Sequence, residues 1–237
     1  MEAKEYIGNI SGGKVLDVAT GSGGYVHFLL EGLGDYEEII GIDTKDGLET
    51  VFAEQFADKP IRYRQMDAAR MEFADGSFDT VCIANSLHHM SDLSRTLSEM
   101  LRVLKPGGHL IVSEMYCDNQ SETQMTHVHL HHWWGAVDQM RGVFHAETFR
   151  RKEIVKLVAS LGLVEMRMED LSDLDENPHD PEIVAQLNPV IDRYIQRAEG
   201  HPELQARGEE LRQRLEKVGF NGATSLLVIG RKAESHS

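Results

Sequence analysis

The stretch Lys14-Val15-Leu16-Asp17-Val18-Ala19-Thr20-Gly21-Ser22-Gly23-Gly24-Tyr25 constrains the fold of this chain more than any other. It begins as a short apolar run with β-branched residues, the composition of a strand buried on both faces of a parallel sheet. Gly21, Gly23 and Gly24 then permit a sharp turn and a close approach of backbone to ligand. Val26, Phe28, Leu29 and Leu30 open a helix-like segment. Strand, glycine turn and helix, in that order, are how a doubly wound α/β sheet begins a nucleotide site.

Asp17 narrows the ligand. A dinucleotide fingerprint closes on Gly or Ala, and Val26 stands at the closing position here. A carboxylate just before the turn would repel a pyrophosphate, whereas it suits a cationic ligand. An Asp inside a buried strand is also expensive unless it has a partner, which argues against a bare structural turn. S-adenosylmethionine (SAM) has no phosphate and carries a sulfonium and an α-ammonium. The stretch resembles the glycine-rich motif of Rossmann-like (class I) SAM-dependent methyltransferases.

The following segments repeat the α/β pattern. Glu38–Asp43 reads as a second strand with an acid at its tip, about 20 residues past the turn, where a ribose hydroxyl pair is read. Residues 46–57 read as a helix, and Ile61–Gln65 as a third strand followed by Met66-Asp67-Ala68-Ala69. Asp67 can close an Asx-type turn; the resemblance implies that it also accepts from the adenine amino group. Phe78–Ala84 is a fourth strand with the polar tip Asn85-Ser86-Leu87-His88-His89-Met90. A helix from about Leu93 to Leu104 is stopped by Lys105-Pro106-Gly107-Gly108, and His109–Glu114 is the fifth strand.

The pattern Phe78-Asp79-Thr80-Val81, the Leu87-His88-His89 tip and the run Leu101–Gly108 resemble the ubiquinone and menaquinone C-methyltransferases and their small-molecule relatives. The resemblance covers residues 10–116. It implies a mostly parallel seven-stranded sheet and a SAM site formed by Asp17, Ala19, Thr20, Gly21, Gly23, Tyr25, Asp43, Thr44, Asp67, Ala68, Asn85 and Ser86. It also implies methyl transfer to a small-molecule acceptor. A catalytically silent SAM-binding partner or sensor, and an NAD-dependent oxidoreductase on the same fold, are the rival functions. On this view residues 1–237 form one methyltransferase domain. Its SAM-binding core is 10–116, a substrate cap is 117–146, and a helical insertion occupies 171–220, where the family turns directly into its last strand.

The cap segment is histidine-rich: His127, His129, His131 and His132 precede Trp133 and Trp134, and His145 follows. Three roles are open for these histidines. They could line the acceptor pocket with His88 and His89, pack as structural side chains, or bind a metal through the His127/His131 pair at helical spacing, completed by His145 or Glu147. No metal is assigned. The tryptophans read as packing residues rather than a cation cage. Further on, 147–161 reads as an amphipathic helix, Leu163–Met168 as a sixth strand and Gly222–Gly230 as a closing antiparallel strand. Residues 1–13 form a lead-in that could fold over the site, and the tail from Lys232 is expected to fray.

Composition excludes some alternatives. The net charge of −15 gives no basic stripe for nucleic-acid phosphates. No apolar run reaches the roughly 20 residues of a membrane span. Two cysteines and no signal-peptide pattern lead to a cytoplasmic assignment. The charged face of the second inserted helix can be solvated or can form a homodimer contact.

Overall fold

The computed structural model describes residues 4–234. Strands β1 (Lys14–Val18), β2 (Glu38–Asp43), β3 (Ile61–Gln65), β4 (Phe78–Ala84), β5 (Leu104–Met115), β6 (Val164–Leu171) and β7 (Ser225–Arg231) form one sheet in the order β3-β2-β1-β4-β5-β7-β6. The first five strands pair in parallel, and β7 runs antiparallel to both neighbours. This is the mostly parallel, seven-stranded α/β fold expected. The apolar run of β1 has its cause here: Val15, Leu16, Asp17 and Val18 are all buried between β2 and β4.

Helices α1 (Lys4–Ile7), α2 (Gly24–Gly32), α3 (Leu48–Gln55), α4 (Leu93–Val103) and α6 (Arg151–Ala159) accompany the sheet. On one face Leu16, Ile83, Met100 and Val112 share a core with Ile154 and Val158; on the other, Val15, Leu29, Ile39, Phe52 and Ile111 share a second. α1 docks through Ile7 in this second core, and none of the described lead-in residues 4–13 lines the cavity described below. α4 ends at Val103, and Leu104 already belongs to the long β5, because the segment carrying Pro106 and left-handed Gly107 cannot continue a helix.

The remaining helices form a separate layer. α5 (Glu122–Met140) begins at Ser121, whose capping box with Gln124 satisfies the first turn. α7 (Pro181–Arg197) and α8 (Pro202–Val218) lie between β6 and β7 and pack on α5. Leu130, Trp133, Val137, Ile191, Ala198, Leu211 and Leu215 form this third core. Trp133 is a packing residue: its ring fills the space beside Gly208, and its indole N–H donates to the Leu204 carbonyl at 2.9 Å. Charges of α8 pair within the helix, Arg207 with Glu210 and Arg212 with Glu209, and with its neighbours, Arg212 with Asp192 of α7 and Arg214 with Glu122 of α5.

α5 stops at Met140, so His145 sits in an irregular loop, and α6 begins at Arg151 rather than 147. Lys232 is not frayed: its ammonium donates to the Leu101 and Leu104 carbonyls at 2.6 and 2.7 Å. Residues 235–237 of the tail and 1–3 of the lead-in lie outside the described residues.

Candidate active site

A continuous cleft opens beyond the C-terminal ends of β1, β2, β3 and β4. It spans the junction of β1 and β4, where the strand order reverses, the usual ligand crevice of an open α/β sheet. Two lobes of about 510 and 500 Å³ share Ala19, Gly21, Lys45 and Asn85. Both strand tips turn through left-handed backbone, at Ala19 (φ 56°) and Asn85 (φ 45°). Non-glycine residues hold this conformation only where the surroundings enforce it. Asn85 is pinned by its own N–H on the Ser113 carbonyl and by the Met115 N–H on its side-chain oxygen.

The smaller lobe is lined by Asp17, Thr20, Ser22, Gly24 and Tyr25. Asp17 is only 1% exposed. It accepts from the Thr20 hydroxyl at 2.6 Å and from the Cys82 thiol at 3.5 Å. Burial raises its pKa to about 6, against the opposing pull of these two hydrogen bonds. Gly41 makes room for the Thr20 side chain, because a Cβ there would lie 2.7 Å from it. The Tyr25 hydroxyl is buried without a hydrogen-bond partner among the described residues. α2 starts here with no side-chain cap, and among the described residues the Gly24 and Tyr25 N–H groups have no hydrogen-bond partner, which suits an anionic ligand group.

The larger lobe holds the other two acids. Asp43 accepts the Gly21 N–H at 3.0 Å and the Lys45 N–H at 3.1 Å, so the tip of β2 and the glycine turn are locked to one another. One oxygen of Asp67 accepts the Ala69 N–H at 2.9 Å, the Asx turn expected locally, and the other has no hydrogen-bond partner among the described residues. Thr44, Ala68 and Ser86 also line this lobe. Gly23 does not: a Cβ there would strike Phe56 at 2.8 Å, so this glycine serves close packing of the turn against α3. Gly21 and Gly24 differ, since a Cβ at either meets nothing within 4 Å. Their backbones face open space that a ligand can enter.

Sequence reasoning missed the far wall of this lobe: Met66, Met90, Ser91, Asp92, Thr96, Val143 and Phe144. Exposed Val143 and Phe144, after the end of α5, are an apolar pair in a loop, the one local signal that could have flagged them.

The histidines separate into two groups. His127 accepts the Ala223 N–H through Nδ1 at 2.9 Å, and His132 Nε2 is engaged by the Thr148 hydroxyl and N–H. Neither joins the others. His88, His89, His131 and His145 converge instead, with one nitrogen of each within 4.8 Å of the rest. The 3₁₀ turn Leu87–His89 carries the first two, and it is anchored by Glu114 at the end of β5. That carboxylate is fully buried and accepts the Ser86 and Leu87 N–H groups, both at 3.0 Å, together with a short bond from His88 Nδ1. No residue pattern around Glu114 signals this role, since its partners lie in the 86–88 turn. Burial, then the neighbouring His88 and His145, push His89 down to about 3, and burial likewise depresses His131 and His145. These three rings are therefore neutral at physiological pH.

Residues 16–112 match the family described as Methyltransferase domain. Over 107 residues the chain is 36% identical to a demethylmenaquinone methyltransferase of Bacteroides fragilis, an alignment covering 43% of each protein. The match thus spans less than half the length of that curated relative. The [4+2]-cyclase SpnF superposes with a TM-score of 0.63 at 18% identity, covering 98% of this chain and 79% of its own. Phosphoethanolamine N-methyltransferase 2 of Haemonchus contortus, solved with S-adenosylhomocysteine, gives 0.55 at 17% identity, covering 94% of this chain and 50% of its own.

The fold is shared with solved methyltransferases, and within it residues 16–112 match the methyltransferase-domain family. A cyclase among the structural neighbours shows why the fold does not by itself decide the reaction.

Proposed function

We propose that this chain is a SAM-dependent methyltransferase acting on a small-molecule acceptor. The observation that carries this reading is the set of three strand-tip acids, Asp17, Asp43 and Asp67, lining one cleft in which Lys45 is the only lysine or arginine among the described lining residues. Such a donor set suits a cationic nucleoside and opposes a diphosphate, which disfavours NAD. The fit extends to the open backbone at Gly21 and Gly24 and to the unpartnered Tyr25 hydroxyl.

Asp17 would hold the cationic methionine end, with Gly21 and the start of α2 at its carboxylate. Asp43 would hold the ribose hydroxyls, and Asp67 with Ala68 the adenine. When bound, SAM supplies an electrophilic methyl on a sulfonium whose charge is quenched on transfer. The protein's task is then positioning in a dry cleft. Val143 and Phe144 supply an apolar wall, and Asn85 fixes the tip where the two lobes meet. His89 reaches this cleft, but at about 3 it is too weak a base to draw a proton near neutrality; it can accept a hydrogen bond from an acceptor. We do not extend the quinone of the curated relatives to this chain, because the matched segment ends before α5 and the rest of the cap. Cys82 and Cys117 are both free thiols, which supports assignment to the reducing cytoplasm. Among the described residues no helix is long and apolar enough to cross a membrane.

Native mass spectrometry of tag-free protein, followed by calorimetric titration with SAM, S-adenosylhomocysteine and NAD, tests the proposal. Saturable binding of one SAM or S-adenosylhomocysteine per chain is expected. Saturable NAD binding with none of SAM would overturn it. The same spectrum reports whether the chain forms the homodimer left open by its sequence.

A further inference from the structure

The four-histidine cluster has a chemistry that methyl transfer does not require. His88 and His145 each place Nδ1 against a carboxylate, Glu114 and Asp138 respectively, the latter at 2.9 Å. A carboxylate facing Nδ1 fixes the proton there and leaves Nε2 as a lone pair, the outer-shell arrangement of metal-ligating histidines. His88 Nε2 is buried and has no hydrogen-bond partner among the described residues. His145 Nε2 lies 3.4 Å from His131 Nδ1. Two nitrogens bound at about 2.0–2.1 Å on adjacent corners of a tetrahedron stand about 3.4 Å apart. An N–H···N bond between these rings would satisfy that pair alone and still leave His88 Nε2 unpaired in the interior.

Crowding adds a second argument, since four imidazoles in one small volume would repel one another if protonated. Neutral rings with lone pairs aimed at one another are poor packing partners, yet they form a ligand set for a borderline divalent metal ion.

We propose that His88, His89, His131 and His145 bind a divalent first-row transition metal, zinc being the ion their chemistry suits best, with Glu114 and Asp138 orienting two of the ligands. His127, the pair partner suggested by helical spacing, is excluded from this set by its bond to Ala223. The site joins β4's tip to α5 and to the loop after it, at the border between the cleft and the cap. His89 lies on the cleft side, so an acceptor could displace it or enter as a fifth ligand there. Resting on the methyltransferase reading, this favours acceptors with a hydroxyl or thiol that coordinates the ion and releases its proton to water.

Equilibrium dialysis of tag-free, chelator-treated protein against Zn²⁺, with metal counted by mass spectrometry and Co²⁺ absorption as the ligand-field probe, tests the site. One Zn²⁺ per chain and a Co²⁺ spectrum of low-coordinate nitrogen ligation are expected. His131→Ala and His145→Ala should weaken binding at least ~100-fold, and Glu114→Gln and Asp138→Asn ~10–100-fold. His127→Ala and His132→Ala should leave it within about threefold. Circular dichroism keeps misfolded variants from being counted, and the wild-type Co²⁺ spectrum requires no variant. Absence of stoichiometric metal in the folded wild type, or binding unchanged in both His131→Ala and His145→Ala, would overturn the proposal. SAM titrated into the same samples separates the two ideas. Metal without SAM binding keeps the site and removes the methyltransferase reading, whereas SAM without metal does the reverse.

Discussion

The cofactor half of the molecule and its helical cap place their functional residues by different means. In the first half each acid sits at the end of its own strand, and the turn after the strand aims it. Asp17, Asp43 and Asp67 converge because parallel strands all end on the same side of the sheet. In the cap region nothing local aims the histidines. His88 and His89 come from the tip of β4, His131 from the middle of α5 and His145 from the loop that follows it. They meet because α5 and the loop after it dock on the β4 tip, where the Ala146 N–H donates to the His88 carbonyl and the rings of His131 and His145 face those of His88 and His89, while α7 and α8 pack on α5. A site built on strand tips is written in periodicity; one built on docking is written in packing.

If the cap is a separately packed layer, damage to it should spare the cofactor cleft. Trp133→Ala removes a ring that is 3% exposed at the centre of the third core and leaves the Leu204 carbonyl without its indole donor. A loss of about 3–5 kcal/mol in stability is expected from chemical denaturation. SAM affinity of the surviving folded protein should be unchanged within about threefold. A large loss of SAM affinity there would erase the distinction between the regions.

The complementary variant is Asp43→Ala. It removes an ionised acceptor for ribose and should weaken SAM binding about 100-fold, about 3 kcal/mol, measured by calorimetry. The melting temperature should fall by only a few degrees, through loss of the Gly21 and Lys45 N–H acceptor.

pH sharpens the contrast, because the two regions respond through different groups. Burial lifts Asp17 to about 6 in the free protein, and a cationic ligand needs it ionised. SAM affinity should be flat from neutrality down to about pH 6 and then fall about tenfold per unit below it. Asp17→Asn should bind weakly with no such inflection. In the cap, burial depresses His127 to about 4, below its unfolded value of about 6.5. Its contribution to stability is complete above about pH 6.5 and is lost as pH falls towards 4, because the unfolded state takes up the proton first. The denaturation midpoint of the wild type should decline through that window, and His127→Gln should decline less.

The same contrast explains how much could be read from sequence. The strand, the glycine turn and the acid spacing exposed the sheet, its closing antiparallel strand and the acids of the cleft, since each signal lies within a few residues. Gly23 misled because the glycine motif mixes two needs, ligand approach at Gly21 and Gly24 and packing against Phe52 and Phe56 at Gly23. The His127/His131 pair misled because helical spacing brings two rings to one face without saying what that face meets; His127 meets the Ala223 backbone. Glu114 looked like the end of a strand, and its three bonds to the 86–88 turn exist only through the β4–β5 pairing. Val143 and Phe144 belong to a loop whose course is set by His145 bonding to Asp138.

Calorimetric titration of SAM into wild-type protein and Asp43→Ala, with melting curves on the same samples, tests the central claim most directly. The strand-tip acids as cofactor ligands predict one SAM per chain for the wild type, about 100-fold weaker binding for the variant and nearly coincident melting. Equal affinity in the two proteins would contradict the assignment of the cleft.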